Sequence, residues 1–512
     1  MIRLSSPQSI RLRSRLAAGL ALLTLAVTTA SADVVFAPFF RDNAVLQREK
    51  PVPVWGRADP GEKVTVTFQS QKTEATADDM GRWSVTLSPM RASSTPAELV
   101  AKGKNTVTAR NILVGEVWLC SGQSNMAMTV NRTLDADAEI AGAASYPLIR
   151  HFKTKLTSAA LPCDDAEGAW EVAGPSTAGG FSAAAYYFGR ELFKALNVPI
   201  GLLNSSWGGT QIESWMSPQA LSADPSWPEV VQRWQDEMKA YPAKAAKYEI
   251  DIDQWNKARA TAKKEGAKFT TRAPRKPDGI GSRRQPAALY NAMIVPFLPA
   301  AIRGAIWYQG EANAARNAEY RTLFPAMIRQ WRADFGQGDF PFYYVQLANF
   351  GRGTSWAFQR EAQGYALKLP ATGQAVTIDI GESADIHPKN KQEVGRRLAL
   401  NALANTYKLG GEFSGPVFDG VSKEKGALRV KFTHAAGLKT KDPALPGFAI
   451  AGADKKFISA KARIDGETVV VSAAAVKDPV AVRYAWDNDP PSPLYNGSDL
   501  PASPFRSDDW EK

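Results

Sequence analysis

Leu113-Val114-Gly115-Glu116-Val117-Trp118-Leu119-Cys120-Ser121-Gly122-Gln123-Ser124-Asn125-Met126 is an apolar run that ends abruptly in small and polar residues. A short, almost continuously apolar segment fits a strand buried on both faces. The Gly122 turn after it fits a strand-to-helix junction. Reading outward, the same unit recurs. Strands are predicted at Leu113–Cys120, Ile200–Asn204, Ala301–Tyr308, Phe342–Leu347 and Ala375–Ile380. Helices are predicted at Ser182–Leu196 with Asn197 as its cap, at Asn317–Phe335 interrupted by Pro325 and ended by Gly336, at Ser355–Leu369, and from Pro388 toward Tyr407. Strands alternating with helices predict a parallel sheet covered on both faces, an α/β fold of three layers, α/β/α.

The flanks read differently. From 33 to 111, Val52–Gly56, Val64–Phe68 and Trp83–Leu87 alternate apolar and polar residues, with turns at Asp59-Pro60-Gly61 and Asp79-Met80-Gly81. That pattern predicts a small β-sandwich ahead of the α/β region at 112–409. Strand patterns return over 410–512, which either completes that sandwich or stands alone. An insertion over 217–285, rich in Ala, Lys, Glu and Trp, is expected to be a lid or wall, or else a solvated helical hairpin. The basic loop Lys268–Arg284 closes it.

Residues 1–32 carry four arginines, no acid, an apolar run from Leu16 to Ala30 and then Ala30-Ser31-Ala32. This predicts a cleaved signal peptide and a secreted or periplasmic protein. Losing the four arginines takes the formal charge from +11 to +7. The remaining excess has no aromatic-basic stripe, so nucleic acid is not expected as a partner, nor a membrane after cleavage. Two cysteines in 512 residues, Cys120 and Cys163, exclude a disulfide scaffold.

Ligands of a parallel sheet bind beyond the carboxyl ends of its strands. There the sequence places Ser121 and Ser124, then Ser205–Thr210, Gln309–Asn313, Asn349, and Asp379–His387. A serine hydroxyl needs a base to become a nucleophile. Of the three histidines, only His387 sits on this rim, two residues past Asp385, which would steady the imidazolium. Ser121 competes with Ser124 for the nucleophile. The backbone of Gly208-Gly209 and the Gln309 amide are candidates for the oxyanion hole. Glu311 is expected to form an ion pair with Arg150 or Arg316 if it is structural. No zinc-type spacing appears, and neither metal nor cofactor is expected.

The blocks Gly122–Met126, Trp307–Asn313 and Asp385–Pro388 resemble those of the sialate O-acetylesterase family, a branch of the SGNH-type ester hydrolases. Gly208–Trp215, Leu289–Ile294 and Ala44–Arg48 are similar as well. The resemblance implies an SGNH-like three-layer domain with N- and C-terminal β-sandwich regions. It also implies a Ser124 nucleophile, a His387 base, and an oxyanion held by the Ser124 N–H, a glycine N–H of Gly208-Gly209 and Gln309. Gln123, Asn125, Glu311 and Asn313 would touch an O-acetylated sugar. One departure stands out: the wider pattern has its Asp three residues before the His, where this chain has Ala384. The third member is thus Asp385, Glu382 or a backbone carbonyl. Rival readings are an acetylesterase acting on xylan or another polysaccharide, a glycosidase using Glu311 and Glu382, and a non-catalytic carbohydrate-binding protein.

Overall fold

The computed structural model describes residues 33–224, 227–353 and 355–510. The expected signal peptide lies outside the described residues. The opening stretch belongs to one 17-residue strand, β1 (Thr106–Gly122). It crosses the expected 111/112 boundary without a linker, bending at Asn111, whose φ is +57°. Its first half pairs with Ser93–Lys102 in the N-terminal β region, and its second half is the middle of the α/β sheet. One strand therefore welds the two regions together.

Around it lie β2 (Ile149–Thr154), β3 (Gly168–Val172), β4 (Ile200–Ser206), β5 (Gly304–Tyr308), β6 (Phe342–Val345) and β7 (Thr372–Ala375), in the order β3-β2-β4-β1-β5-β6-β7. All pairs are parallel except β3 with β2. The sequence reading missed β2 and β3. It also set the last strand at Ala375–Ile380, which shares only Ala375 with β7. In β2 the polar residues Arg150 and His151 break the apolar run, although both are buried.

Alternation sorts the strand side chains to two faces. Leu119, Leu203, Trp307 and Tyr344 pack with Leu323, Phe324 and Trp331 of helix α3 (Asn317–Phe335). Cys120, Leu202, Ile306 and Val345 pack with Tyr187, Phe188 and Leu192 of α1 (Ala183–Leu196), and with Val394 and Leu398 of α5 (Lys391–Asn401). Ser182 caps α1 through its hydroxyl, and Asn197 closes it in the left-handed conformation, as predicted. Pro325 does not interrupt α3. The final helix starts later than expected, at Lys391 behind an Asn390 cap, not at Pro388.

The insertion is built on a 37-residue helix, α2 (Pro228–Lys264). The predicted helix at Ser355–Leu369 appears as α4 (Trp356–Gly364) followed by a tighter turn. The C-terminal region forms sheets around a core of its own, including Leu428, Val430, Val469, Val471 and Val482. Cys120 and Cys163 are unbridged; Cys120 is a buried strand thiol. Among the described residues no helix is long and apolar enough to cross a membrane.

Candidate active site

The register of three neighbouring strands assembles the site. Gly122 of β1 lies opposite Ser206 of β4 and Tyr308 of β5. The loops that follow them therefore emerge side by side. Gly122 has φ +136°, and a Cβ there would stand 2.2 Å from the Tyr308 carbonyl oxygen. Only glycine fits the turn that lifts Ser124 off the sheet. Ser124 opens a helix of just four residues, Ser124–Ala127. The helix expected after the turn is thus a single turn, and the local feature that matters is its free first N–H.

His387 Nε2 lies 2.8 Å from Ser124 Oγ. Ser121 is fully buried in β1 with its hydroxyl unpartnered, so the imidazole is directed at Ser124. The other histidines are placed elsewhere. His151 is buried, stacked on Phe181 at 4.6 Å and accepting from the Ser182 N–H at 3.2 Å. Burial pushes its pKa down to about 3. His434 lies 2.8 Å from Glu412 in the C-terminal region.

Asp385 Oδ1 accepts the His387 backbone N–H at 2.9 Å and stands 3.6 Å from Nδ1. It thus caps the loop and offers a charge, but makes no hydrogen bond to the ring in this state. Glu382 is turned to the Lys389 N–H at 2.9 Å. Partial burial depresses the His387 pKa; Asp385 opposes that, while Lys391 and Arg132 add to it. From the sequence, His387 sits beside the helix expected to open at Pro388, whose positive end would lower the imidazole pKa. With α5 beginning at Lys391, burial takes its place as the leading cause.

Gly208 packs directly on the nucleophile: a Cβ there would lie 3.1 Å from Ser124 Cβ. Neither the Ser124 nor the Gly208 N–H donates to a backbone acceptor among the described residues, so both are free for an oxyanion. The Gln309 expectation fares differently. Its Nε2 donates to the Thr210 carbonyl at 3.1 Å and to Asn313 Oδ1 at 2.8 Å, and its Oε1 accepts from the Tyr320 hydroxyl at 2.9 Å. Both amide hydrogens are committed, and the side chain is fully buried.

The four residues expected to touch substrate are built into the floor instead. Gln123 Oε1 accepts from the Ala312 N–H at 3.3 Å. Asn313 Nδ2 donates to Glu213 at 3.0 Å, and its Oδ1 accepts the Ile212 N–H at 3.0 Å. Asn125 Nδ2 donates to Glu311 Oε1 at 2.6 Å and to the Ile386 carbonyl at 3.0 Å. Its Oδ1 accepts from Lys391 Nζ at 2.8 Å, and Lys391 also donates to the Pro388 carbonyl at 2.5 Å. Glu311 pairs with neither Arg150 nor Arg316; Arg316 bonds Glu213 at 2.7 Å. Burial raises the Glu311 pKa and lowers that of Lys391 to about 7.

Lys391 is a residue the sequence reading missed, because a lysine at the start of a helix looks like a solvated charge. Another missed group is the C-terminal loop 487–489. Asp489 accepts from Asn349 Nδ2 at 2.5 Å and from the Ser383 hydroxyl. Asn488 accepts the Phe350 N–H at 3.0 Å. The C-terminal region thereby braces the loop that carries Asp385 and His387. Asp379, on the same rim, forms a two-pronged pair with Arg397 at 2.6 and 2.8 Å and has no contact with His387. Among the described residues no three His, Cys, Asp or Glu side chains converge to hold a metal ion.

Residues 114–248 and 280–404 match the family described as carbohydrate esterase, sialic acid-specific acetylesterase. The chain belongs to this family. The sialate O-acetylesterase of Mus musculus is 32% identical over 547 residues, covering 95% of this chain and 97% of the mouse protein. The human sialate O-acetylesterase is 30% identical and covers 92% of each chain. A carbohydrate acetylesterase from Xanthomonas citri superposes with a TM-score of 0.79 at 37% identity, over 93% of this chain and all of the other. Homology thus places the protein among the carbohydrate esterases, and the juxtaposed Ser124 and His387 stand where its strand loops meet.

Proposed function

We propose that this esterase is exported and removes O-acetyl groups from sugars, sialic acids first among them, through a serine nucleophile and an acetyl-enzyme intermediate. The observation that carries this reading is the 2.8 Å contact between Ser124 Oγ and His387 Nε2. It is supported by the sialate O-acetylesterases similar to the chain over nearly its whole length. The sheet with helices on two faces fits the three-layer SGNH arrangement that the resemblance implies.

In this mechanism neutral His387 accepts the Ser124 proton as Oγ attacks the acetyl carbonyl. The tetrahedral oxyanion takes hydrogen bonds from the Ser124 and Gly208 N–H groups, both free in the structure. The C–O bond to the sugar breaks, and His387 returns the proton to the leaving sugar oxygen. Water then repeats the sequence on the acetyl-serine, with His387 as base, and releases acetate. Asp385 stabilises the imidazolium formed in each half. Removing the nucleophile of such a unit costs on the order of 10⁶ in kcat. Acetate release from O-acetylated N-acetylneuraminate by the wild-type protein, abolished in Ser124→Ala, is the expected result. Turnover retained in Ser124→Ala but lost in Ser121→Ala would overturn the assignment.

A further inference from the structure

A cavity lies between the insertion and the catalytic core, and the esterase reaction as derived above makes no use of it. It has a volume of about 620 Å³, within the usual range for a small-ligand site. Helix α2 supplies Trp234 and Tyr248 to its wall, both half-buried. The basic loop supplies Arg275, Lys276 and Arg284. Among the described residues seven basic side chains line it against four acidic ones, so it carries excess positive charge.

That excess is concentrated at one end. Arg275 and Arg284 share a single carboxylate, Asp278, at 3.1 and 3.7 Å. At the other end the cations are neutralised, as in the Arg316–Glu213 pair at 2.7 Å. A flat aromatic surface beside cations that share one carboxylate is what a carboxylate-bearing sugar ring requires: stacking for its apolar face, charge-assisted bonds for its acid.

The wall of the cavity leads toward the turn beside the nucleophile. Gln211, in its wall, follows Gly208-Gly209 by two residues. Arg283, the neighbour of Arg284, lies over the Trp207 ring at 5.7 Å, and its guanidinium is 3.8 Å from where a Gly209 Cβ would stand. A ligand in the cavity therefore borders the turn that holds the oxyanion. Residues 249–279, which carry Arg275, Lys276 and Asp278, fall outside the two segments matched by the family model.

We propose that this cavity is a subsite for a carboxylate-bearing sugar, which seats the acid group on Arg284, Arg275 and Lys276 and the ring against Trp234. It rests on the esterase reading for what such a sugar does there, namely present its acetyl group to Ser124, and its test does not depend on turnover. Binding is measured by calorimetry in the full-length Ser124→Ala protein, with N-acetylneuraminic acid, galacturonic acid and the methyl ester of N-acetylneuraminic acid as probes. The expected result is that one or both acids bind and the neutral ester binds more weakly. The Arg284→Met/Lys276→Met variant should raise the Kd of the bound acid about tenfold or more, the loss of one or two charged hydrogen bonds.

Preference between the two acids distinguishes a sialic from a uronic ligand. Raised salt should weaken binding by the wild-type chain in the same direction, which keeps the proposal testable if the double variant fails to fold. Equal binding of acid and methyl ester, or an unchanged Kd in a folded double variant, overturns the subsite. Failure of the esterase reading has a different signature: acids bind as expected, yet the wild-type protein releases no acetate.

Discussion

Asp385→Asn tests the least settled member of the site, because the two things Asp385 does can be separated. Its Oδ1 accepts the His387 N–H at 2.9 Å, and the amide oxygen of Asn can do the same, so the loop should hold. What the substitution removes is the charge 3.6 Å from Nδ1. Two unit charges at that distance attract by about 1.2 kcal/mol in water and about 4.6 kcal/mol at an effective dielectric of 20. Asp385 is 47% exposed, so screening keeps the interaction near the lower figure. That is roughly one pKa unit.

The sign follows from Asp385 favouring the imidazolium. Without it the His387 pKa drops further, and the acid limb of kcat/KM moves down by about one pH unit. On the plateau, kcat should fall roughly tenfold, because the imidazolium of the transition state loses a counter-charge worth about 1.2 kcal/mol. A buried, hydrogen-bonded aspartate in this role is worth nearer 10⁴; the half-exposed, unbonded one here should be worth less. The assay is a pH profile of acetate release from a soluble acetyl ester, with a melting curve on each variant. An unmoved limb together with wild-type kcat would refute the reasoning and leave Asp385 as a loop cap alone.

His387→Ala should be nearly as damaging as Ser124→Ala, and the double variant no worse than either, since the pair acts as a unit; single-turnover acetate release checks it, and additive losses would contradict it. The wild-type acid limb should lie below the ordinary imidazole value of about 6.5, because burial depresses the His387 pKa and the neutral ring is the active form. Gly208→Ala places a Cβ 3.1 Å from Ser124 Cβ, so kcat should fall sharply while the melting temperature stays close to wild type; unchanged turnover would remove this turn from the oxyanion site. Lys391 has a folded pKa of about 7 against about 10.4 in the unfolded chain. Between those values the unfolded chain binds more protons, so this group makes stability rise with pH. Lys391→Met should flatten the rise in melting temperature over that window, and should cost about 1–3 kcal/mol for each acceptor left unpaired, Asn125 Oδ1 and the Pro388 carbonyl. Identical slopes in the two proteins would place the titration elsewhere.

The parts of the fold legible in the sequence were those fixed by local physics. The helix read at Ser182–Leu196 lies at Ala183–Leu196, with Asn197 ending it as expected and Ser182 turning out to be its cap. The apolar runs at β1, β4, β5 and β6 could only be buried strands. β2 was hidden because its Arg150 and His151 look solvated and are paid for by partners far along the chain: Asn43 for the arginine, Ser182 and Phe181 for the histidine. The final strand was misplaced because Val376–Ile380 is more apolar than Thr372–Ala375. What decides between them is pairing with Phe342–Val345, which local sequence does not carry.

In the site, the rim position and the Ser124–His387 juxtaposition followed from strand order. The division of labour among the amides did not, because a Gln or Asn in a conserved-looking block can face a ligand or serve as floor with the same sequence. Here the floor claims them, and that has a consequence for how the site works. Ser124 is held from beneath by a hydrogen-bonded network in which Asn125 links Glu311 to Lys391, and Lys391 in turn holds the Pro388 carbonyl. The residue beside the nucleophile is thus bonded to the residue beside the base. The His387 loop is held from its other side by Asp489, which accepts from the Ser383 hydroxyl, and by the 349–351 segment that Asp489 and Asn488 of the C-terminal region anchor. Positioning a hydroxyl and an imidazole within hydrogen-bond reach demands sub-ångström control, and neither the four-residue helix at Ser124 nor the exposed Asp385 supplies it. The buried Asn125–Lys391 link and the C-terminal brace do, so damage to either should surface as lost kcat even though no residue of the brace touches the reacting atoms.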